Sequence, residues 1–345
     1  MDPKGRSDIP NVRPPGRDRI KGGLLLLWAK IALAAPLAFI TNQGEDTVSV
    51  IETSQKRVVK TLTVGRKPAG VWVSQNGRRV VVTNPGNGEL TLIDPKSLQI
   101  SDRIPIPKGS VGVALSPDGE TAYVADWYGD AVVVIDLATR REVARIRVGK
   151  LPAGLDISQD GRFLYVAARD SDEVVKVDLK ERRVVARQKV GSHPFGLHLD
   201  PVWHRLYVAN VLSDDLTVLD AGNLKPIATI GVGERPYGVT TADKGRLVLV
   251  TNQYDDTVTV IDASRLKPMG TVEVGEYPEG IATHPNGREV YVVNWFSNDV
   301  VVLDVKELRP VARIPVGEGS RAFGRFITPS PPTVSREKGA PGTHP

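Results

Sequence analysis

The sequence predicts an all-β fold, namely a seven-bladed β-propeller of four-stranded antiparallel blades, and three observations support it. A pattern of apolar residues ending in Thr-Asn or a similar pair recurs every 42 residues without an insertion. Each period contains four short segments separated by turn-forming residues, which is typical of one propeller blade. The composition, with 33 Gly, 26 Pro and only two Met, is unlike that of a helical bundle.

The repeat is present in seven copies along the chain. Its apolar segments with their polar ends lie at residues 38–42, 80–84, 122–126, 164–168, 206–210, 248–252 and 290–294. The same register carries a pair of glycines in five of the seven links between blades: Gly65 and Gly70, Gly149 and Gly154, Gly191 and Gly196, Gly233 and Gly238, and Gly275 and Gly280. The other two links carry one glycine each, Gly112 and Gly317. A repeat of this fidelity indicates one supersecondary unit copied around a ring.

One period illustrates the four strands. Residues 256–261 alternate polar and apolar side chains, as a half-buried strand does, and residues 268–274 follow as the outer strand. Residues 280–283 form the innermost strand of the next blade, and the turn at 284–287 leads into a strand over 289–293.

The order of strands also predicts how the ring closes. The first repeat begins with the second strand of a blade, and residues 321–327 have the character of an innermost strand with no successor. We expect residues 321–327 to complete the blade begun by residues 38–64, because this pairing leaves no free sheet edge.

The two ends of the chain differ from the repeats. Residues 1–35 combine seven Lys and Arg with three Asp, an apolar run and a small-residue site, which predicts either a cleaved export signal or a retained N-terminal anchor. Residues 36–330 form the propeller, and the Pro-rich residues 331–345 are predicted to be a disordered tail. Either reading of the leader places the protein in a periplasm or outside the cell.

The charge distribution argues against nucleic-acid binding. The formal net charge is +5, but the leader supplies most of it, and the remaining residues are close to neutral. A phosphate-binding surface therefore loses its main support, and we expect no nucleic-acid partner and no membrane contact beyond the leader.

The motifs resemble the YVTN β-propeller family, including YncE-like proteins. The resemblance rests on Val-Thr-Asn at 82–84 and 250–252, Asp-Thr-Val-Thr-Val-Ile-Asp at 256–262, Val-Gly-x-x-Pro-x-Gly at 232–238 and Ser-Pro-Asp-Gly at 116–119. It covers residues 38–327 and implies a secreted or periplasmic seven-bladed propeller. It also implies distant relatives among the heavy subunits of amine dehydrogenases and among lactonases. The motif residues themselves have a structural explanation in turns and strand ends.

Candidate binding residues lie where the repeats disagree. The links between blades and the loops after each second strand emerge on one face, and they hold eight of the 19 aromatic residues. Aromatic side chains in otherwise polar loops are typical of a binding surface, although such rings can also close a channel mouth. The predicted ligand-binding residues are Trp127, Tyr128, His193, Phe195, Arg235, Tyr237, Tyr254, Tyr277, Glu279, Trp295, Phe296 and Arg321.

The residue after the first link glycine suggests the charge of the ligand. It is basic in three early blades and acidic in three later ones: Arg66, Lys108 and Lys150, then Glu234, Glu276 and Glu318. This asymmetry favours a cationic or zwitterionic ligand, or else these charges are only solvated.

The sequence offers few residues for chemistry. Asp156, His198 and Thr240 occupy one level of the inner strands and form a polar line along the channel, either as a base with its orienting group or as a hydrogen-bonded contact between blades. The chain has no cysteine, which excludes thiolate metal sites and thiol catalysis. We expect no catalytic residue, no metal and no cofactor.

The sequence therefore favours a noncatalytic, monomeric binding or scaffold propeller that takes a small molecule or a protein on this face. The alternative is a periplasmic enzyme or enzyme subunit, either lactonase-like or lyase-like, or similar to a dehydrogenase heavy subunit. Nucleic-acid binding is a third, disfavoured reading.

Overall fold

The computed structural model describes residues 35–329, and they form seven antiparallel sheets. The first blade contains three regular strands, β1 (Leu37–Asn42), β2 (Thr47–Glu52) and β3 (Arg57–Thr63). The second contains β4 (Val71–Val73), β5 (Val80–Asn84), β6 (Glu89–Asp94) and β7 (Gln99–Pro105), and the third β8 (Val113–Leu115), β9 (Thr121–Asp126), β10 (Ala131–Asp136) and β11 (Arg141–Arg147).

The other four blades repeat this order. Their strands are β12 (Pro152–Ile157), β13 (Phe163–Ala168), β14 (Glu173–Asp178) and β15 (Arg183–Lys189); β16 (Pro194–Asp200), β17 (Arg205–Asn210), β18 (Asp215–Asp220) and β19 (Pro226–Gly231); β20 (Pro236–Ala242), β21 (Leu247–Asn252), β22 (Thr257–Asp262) and β23 (Lys267–Glu273); and β24 (Pro278–Thr283), β25 (Glu289–Asn294), β26 (Asp299–Asp304) and β27 (Arg309–Pro315). One short 3₁₀ turn, Arg169–Ser171, follows β13. The predicted seven-bladed all-β propeller is confirmed.

Burial explains the shape of each blade. The second and third strands are buried on both faces because they pack against the neighbouring blades, as in β22. The outer strand is mostly exposed and keeps one buried apolar side chain near its end, for example Ile104 in β7 and Ile314 in β27. In every blade the pairing of the third and outer strands contains a register shift, which raises the local twist.

The ring closes as predicted, by joining the two ends of the propeller. The backbone of Phe39 donates a hydrogen bond to the carbonyl of Phe326 at 2.9 Å, and that of Arg321 donates to Thr41 at 2.9 Å. Isolated bridges join Ala38 to Ile327 and Asn42 to Ser320. The closing segment, residues 320–328, thus takes the innermost place beside β1. The predicted leader and tail fall outside residues 35–329.

The propeller has two distinct faces. The links between blades and the loops joining second to third strands lie on what we call the top face, and the remaining turns lie on the bottom face. The inner strands surround a central channel. Among residues 35–329, no helix is both long and apolar enough to cross a membrane.

Candidate functional site

Each link between blades places one residue at the same position on the top face, and this residue carries a side chain in five links and is glycine in the other two, Gly109 and Gly319. The residue at this position adopts a left-handed backbone conformation in every link, with φ of 55° at His193, 55° at Arg235 and 58° at Tyr277. This conformation is uncommon for residues other than glycine. It is supported because the backbone N–H of each of these residues donates to an aspartate 21 positions earlier, such as Asp256 for Tyr277 at 2.8 Å. The repeat therefore fixes the backbone here while leaving the side chain free to vary.

Four aromatic side chains from two adjacent blades form what we call the top-face aromatic surface: Tyr254, Tyr277, Trp295 and Phe296. The ring of Tyr277 lies 5.7 Å from Tyr254, 5.6 Å from Trp295 and 4.7 Å from Phe296, between ring centroids. Tyr254 is 55% exposed and Phe296 is 59% exposed. Contiguous exposed rings of this kind are typical of a binding surface.

Charged groups surround this surface. The guanidinium of Arg321 lies 4.5 Å from the centroid of Trp295, and that of Arg235 lies 5.4 Å from Tyr254, both within the range of cation–π attraction. A groove of about 390 Å³ runs beside Trp295 and is also lined by Lys67 and Glu318. Both signs of charge are therefore available next to the rings.

Two predicted aromatic residues close the channel instead of lying on the open face. Phe195 stacks on Tyr237 with centroids 4.1 Å apart, and Phe323 meets Phe195 edge-on at 4.9 Å. All three side chains are buried. We call them the channel plug. Phe323 could not be predicted from the sequence, because it belongs to the closing segment and has no counterpart in the loops of the repeats.

A buried ion pair lies next to the plug. Glu279 accepts two hydrogen bonds from Arg321, at 2.5 and 3.1 Å, and one from Gln253 at 2.9 Å. Arg321 also donates to the Tyr237 hydroxyl at 2.8 Å. Burial raises the pKa of Glu279 above its ordinary value, although Arg321 opposes this shift. Arg321 contacts both Tyr237 of the plug and the ring of Trp295. The pair of Glu279 and Arg321 therefore supports the aromatic surface from below.

The remaining predicted top-face residues lie on the other side of the ring. Trp127 is half-buried between Phe195, at 6.1 Å, and the guanidinium of Arg169, at 5.7 Å. Tyr128 is 79% exposed. His193 has its imidazole nitrogens 3.7 Å from Asp170 and 3.9 Å from Asp172. The structure thus divides the predicted site into an open aromatic surface, a buried plug and this separate group.

The structure brings together two members of the predicted polar line, Asp156 and His198, but not Thr240. His198 Nδ1 lies 3.7 Å from Asp156 Oδ2, and its Nε2 lies 3.0 Å from the hydroxyl of Thr241 rather than Thr240. Thr240 instead contacts the hydroxyl of Thr283 at 3.2 Å. Burial lowers the pKa of His198, although Asp156 opposes this shift, so the imidazole is neutral near pH 7.

The fold defines the class of the protein as a seven-bladed β-propeller. The family model described as "YNCE-like beta-propeller" matches residues 76–162, which confirms the resemblance seen in the repeat motifs. A second family model, "Cytochrome D1 heme domain", matches residues 129–238. A search of curated proteins found no match.

Solved structures of similar shape share little sequence with this chain. Hydrazine synthase of Kuenenia stuttgartiensis superposes with a TM-score of 0.66 and 20% identity, covering 73% of this chain and 87% of that one. A functionally unknown protein from Desulfotomaculum acetoxidans gives 0.70 and 14%, covering 84% and 99%. The dihydro-heme d1 dehydrogenase NirN, in complex with DHE, gives 0.65 and 16%, covering 84% and 74%. At these identities the similarity establishes the fold alone.

The prediction that the protein takes no cofactor is wrong in the light of these comparisons. The match of residues 129–238 to a family model described as a haem domain contradicts it. A haem held without covalent attachment and without a cluster of metal ligands leaves no motif in the sequence from which it could be predicted.

The channel itself does not fit an enclosed haem. Its middle encloses about 70 Å³, whereas sites for ligands of moderate size occupy roughly 300–1,000 Å³. The plug fills its upper end, and the Nε2 of His198 is held by Thr241. The residues that line the channel therefore do not form an enclosed haem site.

Proposed function

We propose that this propeller binds a flat, conjugated ligand on the top-face aromatic surface, and that it acts as the ligand-binding component of a periplasmic enzyme system. The observation that carries the proposal is the exposure of Tyr254 and Phe296 next to Tyr277, in a fold that buries most of its other large apolar side chains. A tetrapyrrole is the ligand class that the haem-domain match favours.

The chemistry of the surface suits such a ligand. Offset stacking on Trp295 and Tyr254 provides apolar contact with a planar ring, at about 0.5–1.5 kcal/mol per aromatic pair beyond area burial. The carboxylates of a tetrapyrrole can pair with Arg235 and with the exposed Lys67 through charge-assisted hydrogen bonds. Glu234, Glu276 and Glu318 oppose a purely anionic ligand, so we expect the ring to supply most of the affinity.

The proposal combines both readings of the sequence. The binding role follows from the exposed rings, while the connection to an enzyme follows from the haem-domain match and the likeness to hydrazine synthase and NirN. No catalytic step is assigned to a residue of this chain. The periplasmic location rests on the predicted leader, and a monomeric state remains part of the proposal.

The test is a titration with haem followed by absorbance and by tryptophan fluorescence. We expect Trp295→Ala and Tyr254→Ala each to weaken haem binding by about tenfold, equivalent to about 1.4 kcal/mol. Trp203→Ala is the control for the opposite face, because Trp203 is 39% exposed and lies in a bottom-face turn. Tyr128→Ala is the control for the other side of the top face.

Two results would overturn the proposal. One is equal haem affinity in all four variants and the unaltered protein. The other is a loss of binding in Tyr128→Ala with no change in Trp295→Ala. Thermal unfolding of each variant separates a lost contact from a lost fold.

A further inference from the structure

The bottom end of the channel opens into a second cavity, of about 280 Å³. We call it the lower mouth. Its lining includes several polar side chains: Ser74, His198, Thr240, Thr241, Thr283 and Arg325. It lies on the other side of the channel from the plug, so it is separate from the top-face aromatic surface.

The polar lining is a departure from the repeat. At one register position the inner strands of four successive blades carry Val73, Leu115, Ile157 and Leu199. The same position carries Thr241, Thr283 and Arg325 in the next two blades and the closing segment. An inner strand does not need polar groups there in order to pack, because four other blades do without them. The change therefore calls for a cause other than the fold.

Arg325 carries a charge that the fold leaves largely unused. Its guanidinium stacks 4.9 Å from the centroid of Trp72, and its side chain is 43% exposed. The carboxylate nearest to it is that of Asp156, at 3.8 Å, which is beyond hydrogen-bond distance. The guanidinium of Arg325 makes no hydrogen bond to any residue between 35 and 329.

Asp156 does not compete strongly for Arg325. One of its carboxylate oxygens accepts the backbone N–H of Ile157 at 2.8 Å, and the other accepts that of Leu199 at 2.9 Å. Its side chain is only 6% exposed. The carboxylate is therefore held by the backbone, and the donors of Arg325 remain free to face the cavity.

Further hydrogen-bonding groups converge on the same space. The hydroxyl of Thr240 lies 3.2 Å from that of Thr283, which donates its own proton to the backbone carbonyl of Thr241 at 2.8 Å. His198 lies 3.0 Å from the hydroxyl of Thr241. Hydroxyl groups can turn to donate, and a neutral imidazole donates through one nitrogen. A guanidinium with several such donors is a set that recognises a carboxylate or a phosphate.

We propose that the lower mouth is a binding site for a small oxyanion, held by Arg325 with the hydroxyls of Thr240 and Thr241. The volume admits a ligand of a few heavy atoms. A small carboxylate and inorganic phosphate share this chemistry, and they are distinguished by experiment. The site is independent of ligand binding at the top face.

The test is isothermal titration calorimetry of the full chain with succinate and, separately, with inorganic phosphate. We expect one of the two to bind with a dissociation constant below about 1 mM. Arg325→Gln should weaken that binding by about tenfold or more, and Arg325→Lys should weaken it less, because lysine keeps the charge without the planar fork. Succinate binding alone identifies a carboxylate site, and phosphate binding alone identifies a phosphate site.

Matched controls separate this site from general charge and from the top face. Arg246→Gln removes an arginine of the same face that pairs with Asp243 and lies outside the lower mouth, so it should bind the anion as the unaltered protein does. Trp295→Ala should also bind it normally. Thr241→Val removes one hydroxyl without a charge and should weaken binding, which provides a second test should Arg325→Gln not fold. The proposal would be overturned if neither anion bound, or if Arg325→Gln and Thr241→Val both bound the anion as tightly as the unaltered protein does.

Discussion

At the scale of single residues, the repeated motif is explained by contacts between blades. The second link glycine of each repeat lies against the carbonyl of the next blade: a Cβ on Gly196 would come within 2.1 Å of the Tyr237 oxygen, and one on Gly238 within 2.4 Å of that of Glu279. The threonine of Val-Thr-Asn reaches across the same boundary, because Thr251 accepts the N–H of Gly238 at 2.8 Å and donates to the carbonyl of Glu279 at 3.1 Å. The motif thus specifies how closely blades approach one another.

Replacing Gly196 with alanine should destabilise the protein. The added methyl group meets backbone atoms of the next blade, which cannot move aside as a flexible side chain can. We expect a loss of about 1–3 kcal/mol in the free energy of unfolding, measured by urea denaturation. Gly231→Ala is the matched control, because nothing lies within 4 Å of a Cβ at that position. A similar loss in both variants would contradict this explanation.

The repeat pattern also shows how much of the structure could be predicted from the sequence. The blades, their register and the closing segment follow from repetition, since seven copies of one pattern average out local ambiguity. The division of the aromatic residues does not follow. Phe195 and Tyr237 share one repeat position and are buried in the plug against Phe323, while Tyr277, two residues earlier in its own link, borders the open surface. That difference depends on Phe323 and on neighbours brought close only by the closed ring.

At the scale of elements, the bottom-face turns depend on ionised aspartates. In the turn at 116–119, the Ser116 hydroxyl donates to Asp118 at 2.5 Å, and the backbone N–H of Glu120 donates to the same oxygen at 3.0 Å. The turn at Asp160 is built in the same way. These hydrogen bonds lower the pKa of both carboxyls, with the serine contact the largest cause.

The turns predict how stability depends on pH. Because the pKa of Asp118 and Asp160 is lower in the folded than in the unfolded chain, their contribution is present above the unfolded value of 3.8 and is lost as the pH falls through the folded values. Burial lowers the pKa of His198 and His284, which removes stability as the pH falls below 6.5. We expect the urea midpoint to be steady near pH 7–8 and to decrease on acidification.

Substitutions identify the source of the acid effect. The double variant Asp118→Asn and Asp160→Asn should show a smaller decrease between pH 5 and pH 3 than the unaltered protein. An unchanged profile in this variant would show that other carboxyls control acid unfolding.

At the scale of the whole molecule, the ring is held by a segment of only a few residues. Residues 320–328 bond to β1 on one side and to β4 on the other, where Val71 and Val73 donate to the carbonyls of Phe323 and Arg325 at 2.8 and 2.7 Å. The same segment contributes Phe323 to the plug, Arg321 to the buried pair and Arg325 to the lower mouth. Closure of the ring and assembly of both candidate sites therefore depend on one stretch of chain.

Removing residues 320–345 should open the ring. We expect a lower thermal midpoint and a loss of single-step unfolding, because β1 and β4 would each have a free edge. Removing residues 331–345 alone is the control and should leave the unfolding curve unchanged. An equally stable, cooperative protein after the longer truncation would show that the closing segment is not required to hold the ring.

The measurement that tests the central claim most directly is hydrogen exchange of the backbone amides, with and without haem. We predict slower exchange in the loops at 252–257 and 294–299 and in the link at 274–278, which carry the four rings of the top-face aromatic surface. Exchange at 126–131, around Tyr128, and in the bottom-face turn at 200–205 should stay unchanged. Protection confined to those two regions, or to residues lining the channel, would contradict binding at the top-face aromatic surface.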